Sequence, residues 1–71
     1  MAAFKPKEVA KILQKLGFVQ KRQTGSHLIF FDPKSGKIIP VPMHNKDLKK
    51  GLLRAIIKQS GSTEAEFLKL K

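Results

Sequence analysis

Seventy-one residues make one small domain, leaving no room for a second domain, a doubly wound cofactor-binding sheet or a barrel enzyme. Fifteen Lys and Arg against five Asp and Glu give a net charge of +10, and the excess is not a tail: residues 1–35 hold seven basic and two acidic residues, residues 36–71 eight and three, +5 in each half. The absence of cysteine excludes disulfide staples, zinc–thiolate sites and thiol catalysis. A folded domain charged in this way suits a polyanion: nucleic acid first, an acidic protein second, an anionic membrane third. Two His and five carboxylates argue against a structural metal site. No apolar run is long enough to cross a bilayer, and Met1-Ala2-Ala3-Phe4-Lys5-Pro6 has no signal-peptide core. The expectation is a cytoplasmic protein with no membrane partner, metal or small-molecule cofactor.

Helical periodicity begins near Pro6, which suits a first turn where its missing N–H would be unpaired anyway. Val9, Ile12, Leu13 and Leu16 make one apolar stripe, Lys7, Lys11 and Lys15 line the other side, and Gly17 is placed to end the helix. Phe18–Thr24 reads as a mostly polar strand and Gly25 as a turn or bulge. His27-Leu28-Ile29-Phe30-Phe31 reads as a short apolar strand, and Asp32–Gly36 as a turn. Lys37–Pro42 is a third strand, confined to an edge by Pro40 and Pro42, which lack ladder donors. A second helix runs from about Leu48 to Ser60, capped by Asn45 or Asp47, with Leu48, Leu52, Leu53, Ile56 and Ile57 as its buried stripe. Gly61 stops it. Thr63-x-x-Glu66 then fits a capping box for a short last helix through Leu70.

This order predicts an α+β domain of residues 1–71. A three-stranded antiparallel sheet has two helices on one face and the other face open, in the order α-β-β-β-α plus a short C-terminal helix. That is the arrangement of double-stranded-RNA-binding domains. Strand parity leaves the choice of face open: His27, Ile29 and Phe31 share one side, Leu28 and Phe30 the other, and both sets are apolar enough for a core.

Lys46, Lys50, Arg54 and Lys58 recur every four residues with Lys49 beside them. A solvated helix face explains such a stripe, but no acid balances it at i±4, and Lys49 and Lys50 sit where the helix dipole disfavours cations. An anionic partner resolves both costs, with free backbone N–H groups at that end adding to phosphate binding. Gly51 inside the helix costs roughly 1 kcal/mol against Ala; close packing on the sheet and close approach of a ligand both account for it. His27, after Gly25 and Ser26 and near Arg22, is either a structural strand histidine or a general base or acid. RNA carries its own 2′-hydroxyl nucleophile, so a nuclease needs only a base, cations to steady the phosphorane and an acid for the leaving oxygen. A simple hairpin through 32–36 sets His27 opposite about Val41, with His44 near the same end of the sheet, where it either packs in the loop or shares the acid–base work. Gly36-Lys37 lacks the rest of a phosphate-binding loop, and Ser26 and His27 alternate to opposite faces. The five Phe read mostly as core, leaving little for base stacking.

Taken together, several segments resemble the HicA (YcfA-like) toxins of bacterial and archaeal toxin–antitoxin pairs. They are Leu16-Gly17-Phe18, Gly25-Ser26-His27, Val41-Pro42-x-His44, Leu48-Lys49-Lys50-Gly51, Ile56–Gly61 and Glu66-Phe67-Leu68. Each piece alone is weak; in this order, over about Lys5 to Leu70, they are specific. The resemblance implies a double-stranded-RNA-binding-like fold, endoribonuclease cleavage of mRNA that stops translation, and a HicB antitoxin that covers the active face. It places the family's catalytic His on His27, with Ser26 and His44 as candidate assistants. Lys7, Lys11, Arg22, Lys46, Lys49, Lys50 and Arg54 are the candidate RNA and phosphate contacts; Lys21 and Arg22, in a stretch variable among such toxins, are assigned by charge alone. A non-catalytic double-stranded-RNA-binding module and a protein-interaction module docking an acidic partner are the rival readings.

Overall fold

The computed structural model of the chain describes residues 3–44 and 46–71. Its elements are α1 (Pro6–Lys15), β1 (Val19–Thr24), β2 (His27–Phe31), β3 (Ile38–Pro42), α2 (Lys50–Gln59) and α3 (Glu64–Leu70). The three strands form one antiparallel sheet in the order β1-β2-β3, so the fold is the expected α+β arrangement.

α1 starts at Pro6, and the Lys5 backbone N–H ahead of it donates to Glu8 Oε1 at 2.8 Å. Val9, Ile12 and Leu13 are buried, while Lys7, Lys11 and Lys15 stay in water. Both long helices end in the same way. Gly17 N–H donates to Gln14 C=O and Phe18 N–H to Leu13 C=O; Gly61 N–H donates to Lys58 C=O and Ser62 N–H to Ile57 C=O. These paired bonds satisfy carbonyls that a helix end leaves open. Thr63 Oγ1 accepts from Glu66 N–H at 3.2 Å and caps α3, but the Glu66 carboxylate takes the Ser62 hydroxyl at 3.3 Å instead of closing the box.

α2 begins two residues later than its periodicity suggests. Leu48 is buried and its N–H donates to Phe4 C=O at 2.9 Å, which keeps the chain extended through Lys49 (φ −64°, ψ 145°). Lys49 is therefore the N-cap, without a side-chain cap, and Asp47 does not cap the helix. Asn45, the other expected cap, lies outside the described residues. Leu53, Ile56 and Ile57 are buried, whereas Leu52, expected in the stripe, is 39% exposed on the flank of the helix.

The core lies between one sheet face and the helices. Phe30, Ile39 and Val41 point into it, α1 and α2 both pack on β3, and α3 bridges α1 and α2. Phe4 and Phe67, both fully buried, meet edge to face with centroids 6.1 Å apart. Lys71 Nζ donates to Ala3 C=O at 2.7 Å and stands 4.8 Å from the Phe4 ring, and Lys15 Nζ donates to Leu70 C=O. β3 is an edge strand, as its prolines require. Met43 N–H donates to Ser26 C=O, so odd-numbered positions address β2 while Pro40 and Pro42 turn to the free edge, where they offer no donor to an added strand. Among the described residues no helix is long and apolar enough to cross a membrane.

Candidate active face

The hairpin between β1 and β2 has a two-residue turn, Gly25-Ser26, closed by the pair Thr24 and His27. Gly25 has φ +57° and Ser26 does not share that sign, the pattern of a type II′ turn, which needs glycine first and matches the strand twist. The Ser26 carbonyl is held by Met43 N–H at 2.6 Å. His27 is thus the first residue of a strand anchored on both sides, and its side chain is exposed. Its partner on β3 is Pro42; Val41 pairs with Leu28, one residue off the simple hairpin expectation.

Residues directly opposite in a sheet share a face. With Phe30, Ile39 and Val41 in the core, the open face consists of three rows: Thr24, His27 and Pro42; Arg22, Ile29 and Pro40; Val19, Phe31 and Ile38. Strict alternation would put Arg22 and Val19 on opposite sides. A bulge between Gln20 and Arg22 absorbs Lys21 as an extra residue, which brings Val19 onto the face that Arg22 and Thr24 share with His27, and the Lys21 ammonium stands over the Phe31 ring, 5.3 Å from its centroid. Four of the five Phe, Phe4, Phe18, Phe30 and Phe67, are buried, in line with the expectation that the Phe are mostly core, and Phe31 is the exception, half-buried on the open face. One sequence signal could have chosen the face: Pro40 and Pro42 alternate with Ile39 and Val41, and proline is the poorer core residue.

The remaining candidates sit around this face and not on it. His44 lines a shallow depression with Lys5, Pro6 and Lys7, at the start of α1, so the structure groups it with two lysines. Lys46, Lys49, Lys50 and Arg54 are exposed along the approach to α2 and its first turns; Asp47 lies in the approach, and the first turn of the helix itself contains no acid. Lys11 is exposed farther along α1. Gly51 is exposed, and a Cβ built there meets nothing within 4 Å, so close packing on the sheet does not explain it. In the 32–36 turn, the Ser35 hydroxyl donates to Asp32 Oδ2 at 2.7 Å and Lys34 N–H to Oδ1 at 3.1 Å; these bonds, the hydroxyl first, hold the carboxyl below its ordinary pKa. Among the described residues no three His, Asp or Glu side chains converge as a metal site.

One helix-covered face and one open face on a three-stranded antiparallel sheet, with an exposed histidine at the head of the open face, place this strongly basic domain in the α+β class with the arrangement of double-stranded-RNA-binding domains. Compared with models of protein families, the chain matches the one described as HicA toxin of bacterial toxin–antitoxin over residues 6–62, from the first residue of α1 to just past α2. The chain belongs to the HicA toxin family, and is the toxin of a toxin–antitoxin pair whose counterpart is a HicB-type antitoxin. Among individual curated proteins, none matches it.

Proposed function

We propose that this toxin is an endoribonuclease of the cytoplasm that cuts mRNA and thereby stops translation, with His27 as its catalytic residue. The observation that carries the reading is the exposed imidazole of His27 on the open face, with Arg22 in the neighbouring row and a net charge of +10 around it. The 2′-hydroxyl oxygen attacks the adjacent phosphorus, the P–O5′ bond breaks, and the products are a 2′,3′-cyclic phosphate and a free 5′-hydroxyl. His27 either takes the 2′-hydroxyl proton or gives one to the leaving 5′ oxygen; both suit an imidazole near neutral pH. Arg22 and nearby lysines steady the negative charge of the phosphorane. The reaction needs no metal or cofactor. Lys7, Lys11, Lys46, Lys49, Lys50 and Arg54 hold the flanking phosphates, and Ser26 and His44 assist from either side of the sheet end. The antitoxin neutralises the toxin by covering the open face.

The test is cleavage of single-stranded RNA in EDTA by the parent protein and His27→Ala side by side. The expected result is cutting by the parent, none by the variant, and equal RNA binding by both; unchanged cutting by the variant overturns the assignment of His27. The exposed Gly51 beside Lys49 and Lys50 favours a second reading, a non-catalytic module that lays this end of α2 on duplex RNA. It predicts duplex preference and no cleavage products from either protein.

A further inference from the structure

The two ends of the open face differ in chemistry. Thr24, His27 and Pro42 occupy one end, while at the other Val19, Phe31 and Ile38 lie side by side across all three strands. Val19 and Ile38 are 52% and 53% exposed and flank the half-buried Phe31 ring, whose face is covered by a lysine ammonium and not by another apolar group. None of the three strands contains an acidic residue, and the nearest carboxylate, Asp32, is held within its own turn by Ser35 and Lys34.

We infer that Phe31 is a base-stacking platform: it takes the face of one nucleobase of single-stranded RNA, while Lys21 and Arg22 take neighbouring phosphates. The inference rests on the ribonuclease reading and adds to it a substrate class and a direction along the sheet. A nucleotide combines a flat apolar base with an anionic phosphate. The patch combines a flat ring with apolar flanks and two cations supplied by one bulge, and it is this charge match that favours RNA over an apolar protein segment. The base displaces the Lys21 ammonium from the ring, and the same ammonium then meets the phosphate. A duplex keeps its base faces stacked inside, so only an unpaired strand can engage Phe31. His27 and Phe31 are four residues apart on one strand and one face, about 13 Å by strand rise. A single strand lying along β2 therefore reaches His27 with the phosphate to be cut and Phe31 with a base a short way along.

The chain has no Trp and no Tyr, so Phe31→Trp introduces a lone fluorophore at the site. In a His27→Ala background, which removes cutting on the ribonuclease reading, an unstructured single-stranded RNA oligonucleotide should quench this fluorescence, and a duplex of the same sequence should not. Phe31→Ala and Phe31→Leu should each weaken single-strand binding on the order of tenfold, with Leu, apolar but not aromatic, separating stacking from apolar area. Thermal unfolding of each variant identifies one that has failed to fold, and Phe31→Trp and Phe31→Leu both retain bulk at the site. RNA binding without quenching, together with Phe31→Leu binding like the parent, overturns the inference alone and leaves the apolar row to a protein partner. Failure of every variant and of the parent to bind RNA overturns the ribonuclease reading and the inference with it.

Discussion

Gly51 is the residue whose local cost has no local return. It lies in the first turn of α2, exposed, with nothing near enough to require the missing side chain. Gly51→Ala should raise stability to unfolding by up to about 1 kcal/mol, read by urea denaturation. If a phosphate backbone approaches there, the same variant should bind RNA more weakly, so stability and affinity should move in opposite directions. Asp32 gives a residue-scale prediction in pH. Its carboxyl is held below the ordinary value by the Ser35 hydroxyl and the Lys34 N–H, so the anion is favoured in the fold. A group with a lowered folded pKa contributes stability that is present above its unfolded pKa and disappears as pH falls through the folded one, here below about pH 4. Ser35→Ala should raise the Asp32 pKa toward the ordinary value, which an NMR titration of the carboxyl reads directly.

At the scale of elements, α3 is part of the core although it lies beyond the matched residues 6–62. Phe67 is fully buried against Phe4, while its neighbour Leu68 is 45% exposed. Phe67→Ala should cost about 3–5 kcal/mol, the usual range for a buried Phe→Ala change, which approaches the whole stability of so small a domain. Leu68→Ala should stay within about 0.5 kcal/mol. Urea midpoints of the two variants make the comparison, and similar values would mean that α3 does not close the core. The bulge in β1 has a different role. Arg22 shares the face of His27 by plain alternation from Thr24, and the inserted residue decides instead whether Val19 joins that face beside Phe31 or turns into the core.

The whole molecule is dominated by its charge. RNA affinity should fall steeply with salt, since each phosphate neutralised releases counterions and adds about −0.7 to the logarithmic slope for a single strand. Lys50→Ala, at the start of α2, should reduce that slope by about one phosphate's share. Lys69→Ala, exposed on α3 and a member of neither basic stripe, should leave it unchanged. Equal slopes for the two variants would mean that the charge acts as a diffuse field with no directed surface.

The amino-acid sequence by itself determined the kinds and order of the elements. Each depends on neighbours along the chain: the stripe Val9, Ile12 and Leu13, glycine after each long helix, Thr63 as a cap, and prolines that keep Ile38–Pro42 at an edge. It also held the segments that resemble the HicA toxins, because short motifs such as Gly25-Ser26-His27 are local by nature. Only the tertiary structure decided which sheet face is open. Parity offers two equal sets, and the choice belongs to the helices that pack on Phe30, Ile39 and Val41. The start of α2 was likewise settled at long range, by the bond from Leu48 N–H to Phe4 C=O across the core. The bulge at Lys21, the pairing of His27 with Pro42, the grouping of His44 with Lys5 and Lys7, and the emergence of Phe31 beneath a lysine all depend on register between segments. Register is a relation between strands, and no single stretch of sequence carries it.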